Sequence, residues 1–239
     1  RTRMRMDSST AGGTGPVKVD LWLWHYEPSG TGVLADLLSQ QERDRAAKFT
    51  NPQHAARYIF AHAQMRQALA PFCGIMAQEL VFETGAYGKP GIAHGPQFNL
   101  SHSGDMVALA VCPDRPIGVD IERHRPFDPG IVTRFFSERE QRALSGLTGK
   151  DLENAFFRVW TRKEAIIKAL GLGLSMPLDR FDVSAEPQAR ILRIDPTYGA
   201  AADWDLVNFD PAYAFRGALA VEARGQALDI TVRAGAVQL

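Results

Sequence analysis

Short segments in which apolar and polar residues alternate predict β-strands in the first half of the chain, because successive side chains of a strand point to opposite faces. The segment at 17–26, "VKVDLWLWHY", begins this pattern, and 79–84, 97–103 and 106–112 continue it. Apolar residues at helical spacing predict helix over about 31–71, with a break at Asn51-Pro52 and an end at Pro71. This half is therefore expected to be a mixed α+β unit.

The second half follows the same order in outline. A strand is predicted at 116–122, and helices are predicted at 130–147, with Ser137 as a cap, and at 152–174, closed by glycines. Further strands are expected at 181–185, 189–194, 204–209, 213–221 and 227–233.

A weak internal repeat indicates how the chain is organised. The helical segments 57–69 and 158–170 match at an offset of about 100 residues, which suggests two similar α+β halves related by pseudo-twofold symmetry. The expected divisions are a flexible leader at 1–16, an N-terminal half at 17–113 and a C-terminal half at 114–239. Such halves leave a cleft at their junction, and clefts of this kind commonly bind ligands.

The composition excludes some classes of function. Lys plus Arg and Asp plus Glu each number 27 in 239 residues, so the formal net charge is zero and a nucleic-acid binder is not expected. The longest apolar stretch, "MVALAVC", is far shorter than the ~20 residues of a membrane span, and the N-terminus lacks the apolar region of a secretory signal. Cys73 and Cys112 lack metal-ligand spacing and are expected to be free thiols, which favours the cytoplasm.

Two carboxylates stand at the end of an apolar run in "GVDIE", residues 118–122. On a strand, Asp120 and Glu122 project from one face while Val119 and Ile121 project from the other. Like charges so close together repel each other unless water, a base or a cation lies between them. These five residues alone leave a solvated strand edge and a metal site equally open.

A second pair of charges lies in "WTRKEAIIKALG", where Glu164 and Lys168 are four residues apart and share one face of the predicted helix. An ordinary surface ion pair would explain them. Because the buried stripe is supplied by Ile166, Ile167 and Leu170, both charged side chains are also free to face a cleft.

Groups suited to binding an anion gather in two short segments. Ser101, His102 and Ser103 in "FNLSHS" offer hydroxyl and imidazole groups, although a serine nucleophile or a structural histidine would have the same sequence. Lys89 in "YGKPGI" is either a turn lysine in water or a phosphate ligand. Arg45 belongs to a run of bases that a solvated helix face also explains.

Taken in order, "GKP", "FNLSHS", "PIGVDIE" and "WTRKEAIIKALGLGL" strongly resemble the Sfp-type family of 4′-phosphopantetheinyl transferases, over essentially residues 17–222. The resemblance implies an enzyme that transfers the phosphopantetheine arm of coenzyme A to a serine of an apo acyl or peptidyl carrier protein and releases 3′,5′-ADP. It also implies Mg²⁺ as cofactor, two similar α+β halves with coenzyme A in the cleft between them, and a monomer.

The same resemblance implies roles for individual residues. Asp120, Glu122 and Glu164 would hold Mg²⁺, Lys168 would stabilise the leaving 3′,5′-ADP, and Glu164 or a metal-bound water would take the proton of the carrier serine. Asp120, Glu164 and Lys168 would thus be both catalytic and in contact with coenzyme A. The phosphates of coenzyme A would also be contacted by Arg45, Lys89, Ser101 and His102, with Gly88 and Pro90 shaping the loop around Lys89.

One position departs from the family pattern, because Glu42 stands where some members carry a base three residues before the position of Arg45. Arg43, the next residue, is a candidate substitute. Contact with the 3′-phosphate is therefore less well specified than the metal site.

The carrier protein and the reaction leave alternatives open. The segment 133–144, "TRFFSEREQRAL", combines Arg134, Arg139 and Arg142 with Phe135 or Phe136 and is hypothesised to dock an acidic carrier, although a helix with ordinary surface charge explains it equally. A non-catalytic coenzyme A or carrier-binding module is the alternative function, and a Mg²⁺-dependent pyrophosphatase is a third. Fatty-acid, polyketide, nonribosomal-peptide and aminoadipate-pathway carriers all fit the sequence.

Overall fold

Two β-sheets and two long helices dominate the structure, a computed structural model that describes residues 2–6, 15–27 and 31–234. The strands are β1 (Thr2–Met6), β2 (Val17–His25), β3 (Glu83–Thr84), β4 (Pro90–Gly91), β5 (Gln97–Ser103), β6 (Met106–Cys112), β7 (Ile117–Arg123), β8 (Phe181–Val183), β9 (Ile191–Ile194), β10 (Asp205–Phe209), β11 (Phe215–Val221) and β12 (Leu228–Ala234). The helices are α1 (Thr31–Leu34), α2 (Gln40–Ala47), α3 (Pro52–Cys73), α4 (Gly130–Phe135), α5 (Glu138–Leu144) and α6 (Gly149–Leu170). Short 3₁₀ turns lie at Ala35–Leu37, Ala77–Glu79, Gly173–Ser175, Leu178–Arg180, Pro196–Tyr198 and Ala201–Asp203.

The sheets and helices stack in four layers. A five-stranded sheet has the order β1-β12-β2-β6-β5, and a three-stranded sheet has the order β10-β11-β7. Helix α3 packs on one face of the larger sheet, where Leu69 meets Leu109 in a shared core. The opposite face packs on the smaller sheet through residues such as Ala110 and Val119, and α6 covers the outer side of the smaller sheet. The expected α+β fold with two halves is confirmed.

Strand β6 shows how burial on both faces dictates sequence. All seven of its residues, Met106–Cys112, are buried. Val107 and Leu109 face α3, while Ala108 and Ala110 face the smaller sheet. A strand covered on both faces needs a continuous apolar run rather than an alternating one. The stretch that is too short to span a membrane is therefore a central strand, and no described helix combines the length and apolar composition of a membrane span.

Several predicted boundaries differ from the structure. Helix α3 continues through Pro71 to Cys73 and ends where Gly74 adopts the left-handed conformation, at φ 67°, and donates its N–H to Ala70 O. The predicted end at Pro71 is therefore wrong by two residues. The segment 79–84 forms a strand only at Glu83–Thr84, whereas the helical segment 130–147 divides because Ser137 caps α5.

The ends of the chain cross the expected division into halves. Strand β12, from the C-terminal part of the chain, lies parallel to β2 in the larger sheet. Strand β1 pairs with β12 in antiparallel orientation. Residues 2–6, predicted to be part of a flexible leader, therefore form an edge strand, and residues 7–14 of that leader lie outside the described residues. The bounds 17–113 and 114–239 remain a prediction about the two halves.

Candidate active site

Strand β7 and helix α6 bring the predicted acidic residues and Lys168 together. At Gly118 the two elements touch through their backbones, because a Cβ on Gly118 would lie 2.1 Å from Ala165 O and 2.3 Å from Ala169 N. Only glycine permits this approach. The close contact places α6 directly over the face of β7 that carries Asp120, so this strand edge is covered by protein rather than solvated.

Asp120 is the most buried of these charged groups, with 4% of its surface exposed. Its Oδ1 lies 2.6 Å from Lys168 Nζ and accepts a hydrogen bond from Ser101 Oγ at 3.0 Å. Burial raises the pKa of Asp120 to about 6 against the lowering effect of Lys168, and the carboxylates of Glu122 and Glu164 add to the rise. Asp120 is therefore paired with Lys168 and lies within electrostatic range of two further carboxylates.

The other two carboxylates are less buried. Glu122 Oε2 accepts a hydrogen bond from Ser103 Oγ at 2.8 Å. Burial raises the pKa of Glu164, Lys168 on the next turn of α6 opposes the rise, and Glu122 adds to it. A partly buried carboxylate with a raised pKa is a better proton acceptor than one in water.

The donor atoms suit a hard cation. Among the described residues, no cluster of three or more His, Cys, Asp or Glu side chains is already arranged around a metal position. Asp120 Oδ2, however, is buried without a hydrogen-bond partner, and Glu122 and Glu164 lie near enough to shift the pKa of Asp120. Mg²⁺ takes oxygen ligands, commonly one or two carboxylates together with substrate phosphates. The chemistry of these three residues therefore fits Mg²⁺.

Lys89 enters the same region from the N-terminal half. Its Nζ donates to Ile117 O at 2.9 Å and to Ala169 O at 3.0 Å, and burial lowers its pKa to about 8. Lys89 is therefore not a turn lysine in water, and one of its three N–H donors remains for a ligand. Gly88 adopts φ 89°, which favours glycine, and Pro90 begins β4.

A cavity of about 400 Å³ opens beside these groups and is lined from both halves of the chain. The loop residues Gly88, Lys89 and Pro90 line one side, and Glu164 and Lys168 line another. Its apolar wall is formed by Tyr87, Phe135, Ile167, Met176, Pro177 and Leu178. The predicted cleft thus exists and has a charged end and an apolar wall.

His102 and Arg45 lie apart from this cleft. Ser101 and His102 are neighbours on β5 and point to opposite faces, so His102 lines a second cavity of about 410 Å³ with Tyr26, Phe49, His54, Arg57, Tyr58, Gly104 and Val107. Burial, with the nearby charge of Lys168, lowers the pKa of His102. Arg45 is exposed on α2. Burial raises the pKa of Tyr58, and the charge of Arg45 opposes this rise.

Comparison with known proteins decides the family. Residues 116–216 match the family model described as the 4′-phosphopantetheinyl transferase superfamily, and residues 23–114 match "4′-phosphopantetheinyl transferase, N-terminal". The chain is 32% identical to 4′-phosphopantetheinyl transferase ffp of Bacillus subtilis over 185 residues, which are 77% of this chain and 82% of the relative. The chain belongs to the 4′-phosphopantetheinyl transferase superfamily.

Two further relatives of this chain are also described as 4′-phosphopantetheinyl transferases. The chain is 34% identical to transferase psf-1 of Bacillus pumilus, over 75% of this chain and 78% of the relative, and 33% identical to transferase Sfp of Bacillus subtilis strain 168, over 74% and 79%. A solved holo-[acyl-carrier-protein] synthase of Thermotoga maritima aligns with 45% of this chain and 63% of its own, at a TM-score of 0.37 and 21% identity. The resemblance stated from the sequence is confirmed, and these relatives give the binding-module alternative no support.

The departure from the phosphopantetheinyl transferase pattern at Glu42 has a structural explanation. Glu42 forms a capping box with Ser39 and pairs with His62 Nδ1 at 3.0 Å and Arg66 Nε at 2.8 Å. Desolvation by itself would raise the pKa of Glu42, but the hydrogen bonds from His62 and Ser39, with the charge of Arg66, lower it to about 2. Glu42 therefore joins α2 to α3.

The segment 133–144 keeps only part of its predicted docking surface. Phe136 is buried, whereas Phe135 is half-buried beside Trp160 and lines the cleft. Arg134, Arg139 and Arg142 are exposed. Lys163, from the motif "WTRKEAIIKALGLGL" on α6, is fully buried, and its Nζ donates to Glu140 Oε1 at 2.7 Å. This bond fixes α5 against α6.

No sequence pattern indicated the aromatic lining of the second cavity. Tyr26 follows β2, Phe49 lies between α2 and α3, and Tyr58 lies in α3, so no spacing along the chain links them. Asn99, which lines the cleft and bonds the backbone of β7, was also missed as a site residue. Its position two residues before Ser101 on one strand face was the available signal.

Proposed function

We propose that this chain transfers the 4′-phosphopantetheine arm of coenzyme A to a serine hydroxyl of an apo carrier protein and releases 3′,5′-ADP. The observation that carries the proposal is a cleft lined from both halves, at whose charged end Glu164 and Lys168 lie and Lys168 pairs with the buried Asp120. Transfer from a pyrophosphate needs charge to be neutralised on the bridging and leaving oxygens, and this arrangement supplies the groups for it.

Coenzyme A occupies the cleft in this proposal. Lys168 stabilises the leaving phosphate, and the free N–H of Lys89 contacts the pyrophosphate, with Gly88 and Pro90 fixing the loop. His102 and Arg45 contact the nucleotide phosphates at the second cavity. Two cavities separated by β5 suit a ligand with a long arm and a nucleotide end, which supports this division.

Asp120, Glu122 and Glu164 are the residues that would hold Mg²⁺, and the unpartnered Asp120 Oδ2 supports this assignment. The cation supplies Lewis-acid neutralisation of phosphate charge when bound. Glu164, or a water that it orients, takes the proton from the carrier serine.

The partner is an apo acyl or peptidyl carrier protein, or a carrier domain, that reaches the cleft beside α4 and α5. The exposed guanidinium groups of Arg134, Arg139 and Arg142 would complement an acidic carrier surface. We further propose that the enzyme acts as a monomer in the cytoplasm, without a nucleic-acid or membrane partner. A cleft lined from both halves of the same chain is consistent with a monomer, and the zero net charge is consistent with the lack of a nucleic-acid partner.

Release of 3′,5′-ADP tests this function. The chain is incubated with coenzyme A and Mg²⁺, with and without an apo carrier, and the nucleotide is quantified chromatographically. Release only with carrier supports transfer. Release without carrier would indicate a pyrophosphatase, and coenzyme A binding with no release across several carrier types would indicate a binding module.

A further inference from the structure

Two sheet edges meet beside the cleft, and side chains join them there. Strand β5 closes the five-stranded sheet, and β7 closes the three-stranded sheet. The bonds run from Val119 N–H to Asn99 Oδ1 at 2.9 Å, from Ile121 N–H to Ser101 Oγ at 3.2 Å and from Arg123 N–H to Ser103 Oγ at 3.1 Å. These three bonds form the seam between the sheets.

Each serine of the seam accepts a hydrogen bond from one backbone N–H of β7 and donates its hydroxyl to the carboxylate of the residue just before that N–H. Ser101 donates to Asp120 at 3.0 Å, and Ser103 donates to Glu122 at 2.8 Å. A serine hydroxyl has one proton and two lone pairs. Ser101 gives its proton to Asp120 and accepts from Ile121 N–H and from Lys168 at 3.2 Å, so no donor remains for a phosphate oxygen.

The first position of the seam differs in an informative way. Asn99 accepts the Val119 N–H, and the residue before Val119 is Gly118, which has no side chain to receive a proton. Hydroxyl donors thus accompany the two carboxylates, and an amide accompanies the glycine. Asn99 joins the sheets and lines the cleft but holds no carboxylate, whereas the serines join the sheets and hold the carboxylates.

We propose that Ser101 and Ser103 are positioning residues that hold Asp120 and Glu122 in the register and rotamer needed to bind a divalent cation. This inference rests on the proposed function, which assigns the cation to those carboxylates. It gives Ser101 a role other than contact with coenzyme A. Strand β5 of one half thereby fixes the metal site carried by the other half.

Direct binding of Mn²⁺ to the full chain, measured from the electron paramagnetic resonance signal of free Mn²⁺ with and without coenzyme A, tests the inference. Mutation of a residue that hydrogen-bonds a metal ligand typically lowers metal affinity by ~10–100-fold. Ser103→Ala and Ser101→Ala are therefore expected to raise the dissociation constant about 10-fold. Ser103→Thr, which keeps a hydroxyl, is expected to restore tight binding.

Asn99→Ala is the matched control for the measurement without coenzyme A, since Asn99 also lines the cleft; it removes a bond of the seam without touching a carboxylate. Thermal unfolding of each variant shows whether it folds. Equal weakening of Mn²⁺ binding by Asn99→Ala would overturn the inference, as would unchanged binding in both serine variants. Absence of Mn²⁺ binding by the wild-type chain would overturn the metal assignment of the proposed function and this inference together.

Discussion

Lys168 pairs with the most buried carboxylate at the centre of the site. Its Nζ bonds Asp120 Oδ1 at 2.6 Å and Ser101 Oγ at 3.2 Å, and its charge offsets the burial that raises the pKa of Asp120 and Glu164. A lysine held in this way is already oriented towards the cleft. It can stabilise a leaving phosphate with little reorganisation, which is the usual source of electrostatic catalysis.

Removal of this ammonium group should therefore slow turnover more than it weakens binding. Lys168→Ala is expected to lower kcat by about 100-fold, as loss of one preorganised charge donor typically does. The measurement is the initial rate of holo-carrier formation at saturating coenzyme A. Lys150→Ala, an exposed lysine at the start of the same helix, is the control and should retain the wild-type rate. A Lys168→Ala rate within twofold of wild type would contradict the assigned role.

At the scale of elements, the contact between β7 and α6 determines where the proposed catalytic groups lie. Gly118 lets the helix backbone rest on the strand, and the clashing atoms that a side chain would meet belong to backbone that cannot rotate away. Glu164 and Lys168 follow from that placement, since both lie on the helix face above Asp120. The packing of two elements, rather than any one residue, builds the site.

A methyl group at Gly118 should separate these elements. Gly118→Ala is expected to destabilise the fold by about 3 kcal/mol, at the upper end for an overpacked core, and to abolish most of the transferase activity. Thermal unfolding and holo-carrier formation measure the two effects. Gly32→Ala, where an added Cβ meets nothing within 4 Å, should change neither. Normal activity in Gly118→Ala would show that this close contact is not required.

The junction of α2 and α3 gives a stability prediction with a defined pH dependence. The pKa of Glu42 is lowered to about 2 from 4.5, which corresponds to roughly 3 kcal/mol, reduced by solvent screening to about 2. Because the folded-state pKa is depressed, this stability is present above the unfolded pKa and disappears as the pH falls from about 4.5 through about 2.

Glu42→Gln should therefore lower the free energy of unfolding by about 2 kcal/mol at pH 7, and the difference from wild type should shrink as the solution is acidified. Urea unfolding at several pH values measures it. Asp44→Asn, an exposed acid on the same helix, should have little effect. A deficit that is constant across the pH range would rule out the ionic explanation.

The sequence predicted elements with strong local patterns and missed features that depend on distant partners. The alternation in "GVDIE" correctly placed Asp120 and Glu122 on one face of β7, and Ser137 correctly marked a helix start. No local pattern could show that the second-cavity aromatics meet, or that β12 crosses into the larger sheet. Both depend on tertiary packing between segments far apart in the chain.

For the whole molecule, the four-layer stack leaves a cleft lined from both halves, with the exposed arginines of α4 and α5 on the neighbouring surface. Phe135 of the apolar wall lies beside Arg134 of this basic surface, with the guanidinium 5.1 Å from the ring centre. These arginines would attract a partner that presents an acidic helix before the serine of that partner enters the cleft. Such steering changes association more than chemistry.

Charge reversal on that surface should therefore affect the carrier selectively. Arg139→Glu with Arg142→Glu is expected to raise the KM for carrier by about 10-fold and to leave the KM for coenzyme A unchanged. Steady-state kinetics at two salt concentrations measure this, and the difference should diminish at higher salt. Lys18→Glu with Arg224→Glu gives the same charge change elsewhere on the exposed surface as a control. An unchanged KM for carrier would remove α5 from the docking surface.

The central claim is that this cleft attaches phosphopantetheine to a carrier serine, and the most direct test is the intact mass of the carrier. A purified apo carrier is incubated with coenzyme A and Mg²⁺ and with the wild-type chain or Asp120→Ala. The account predicts a gain of ~340 Da, one phosphopantetheine joined to serine through a phosphodiester, with wild type and almost none with the variant. An equal gain with both proteins would contradict the assigned site, and no gain with any carrier type would contradict the function.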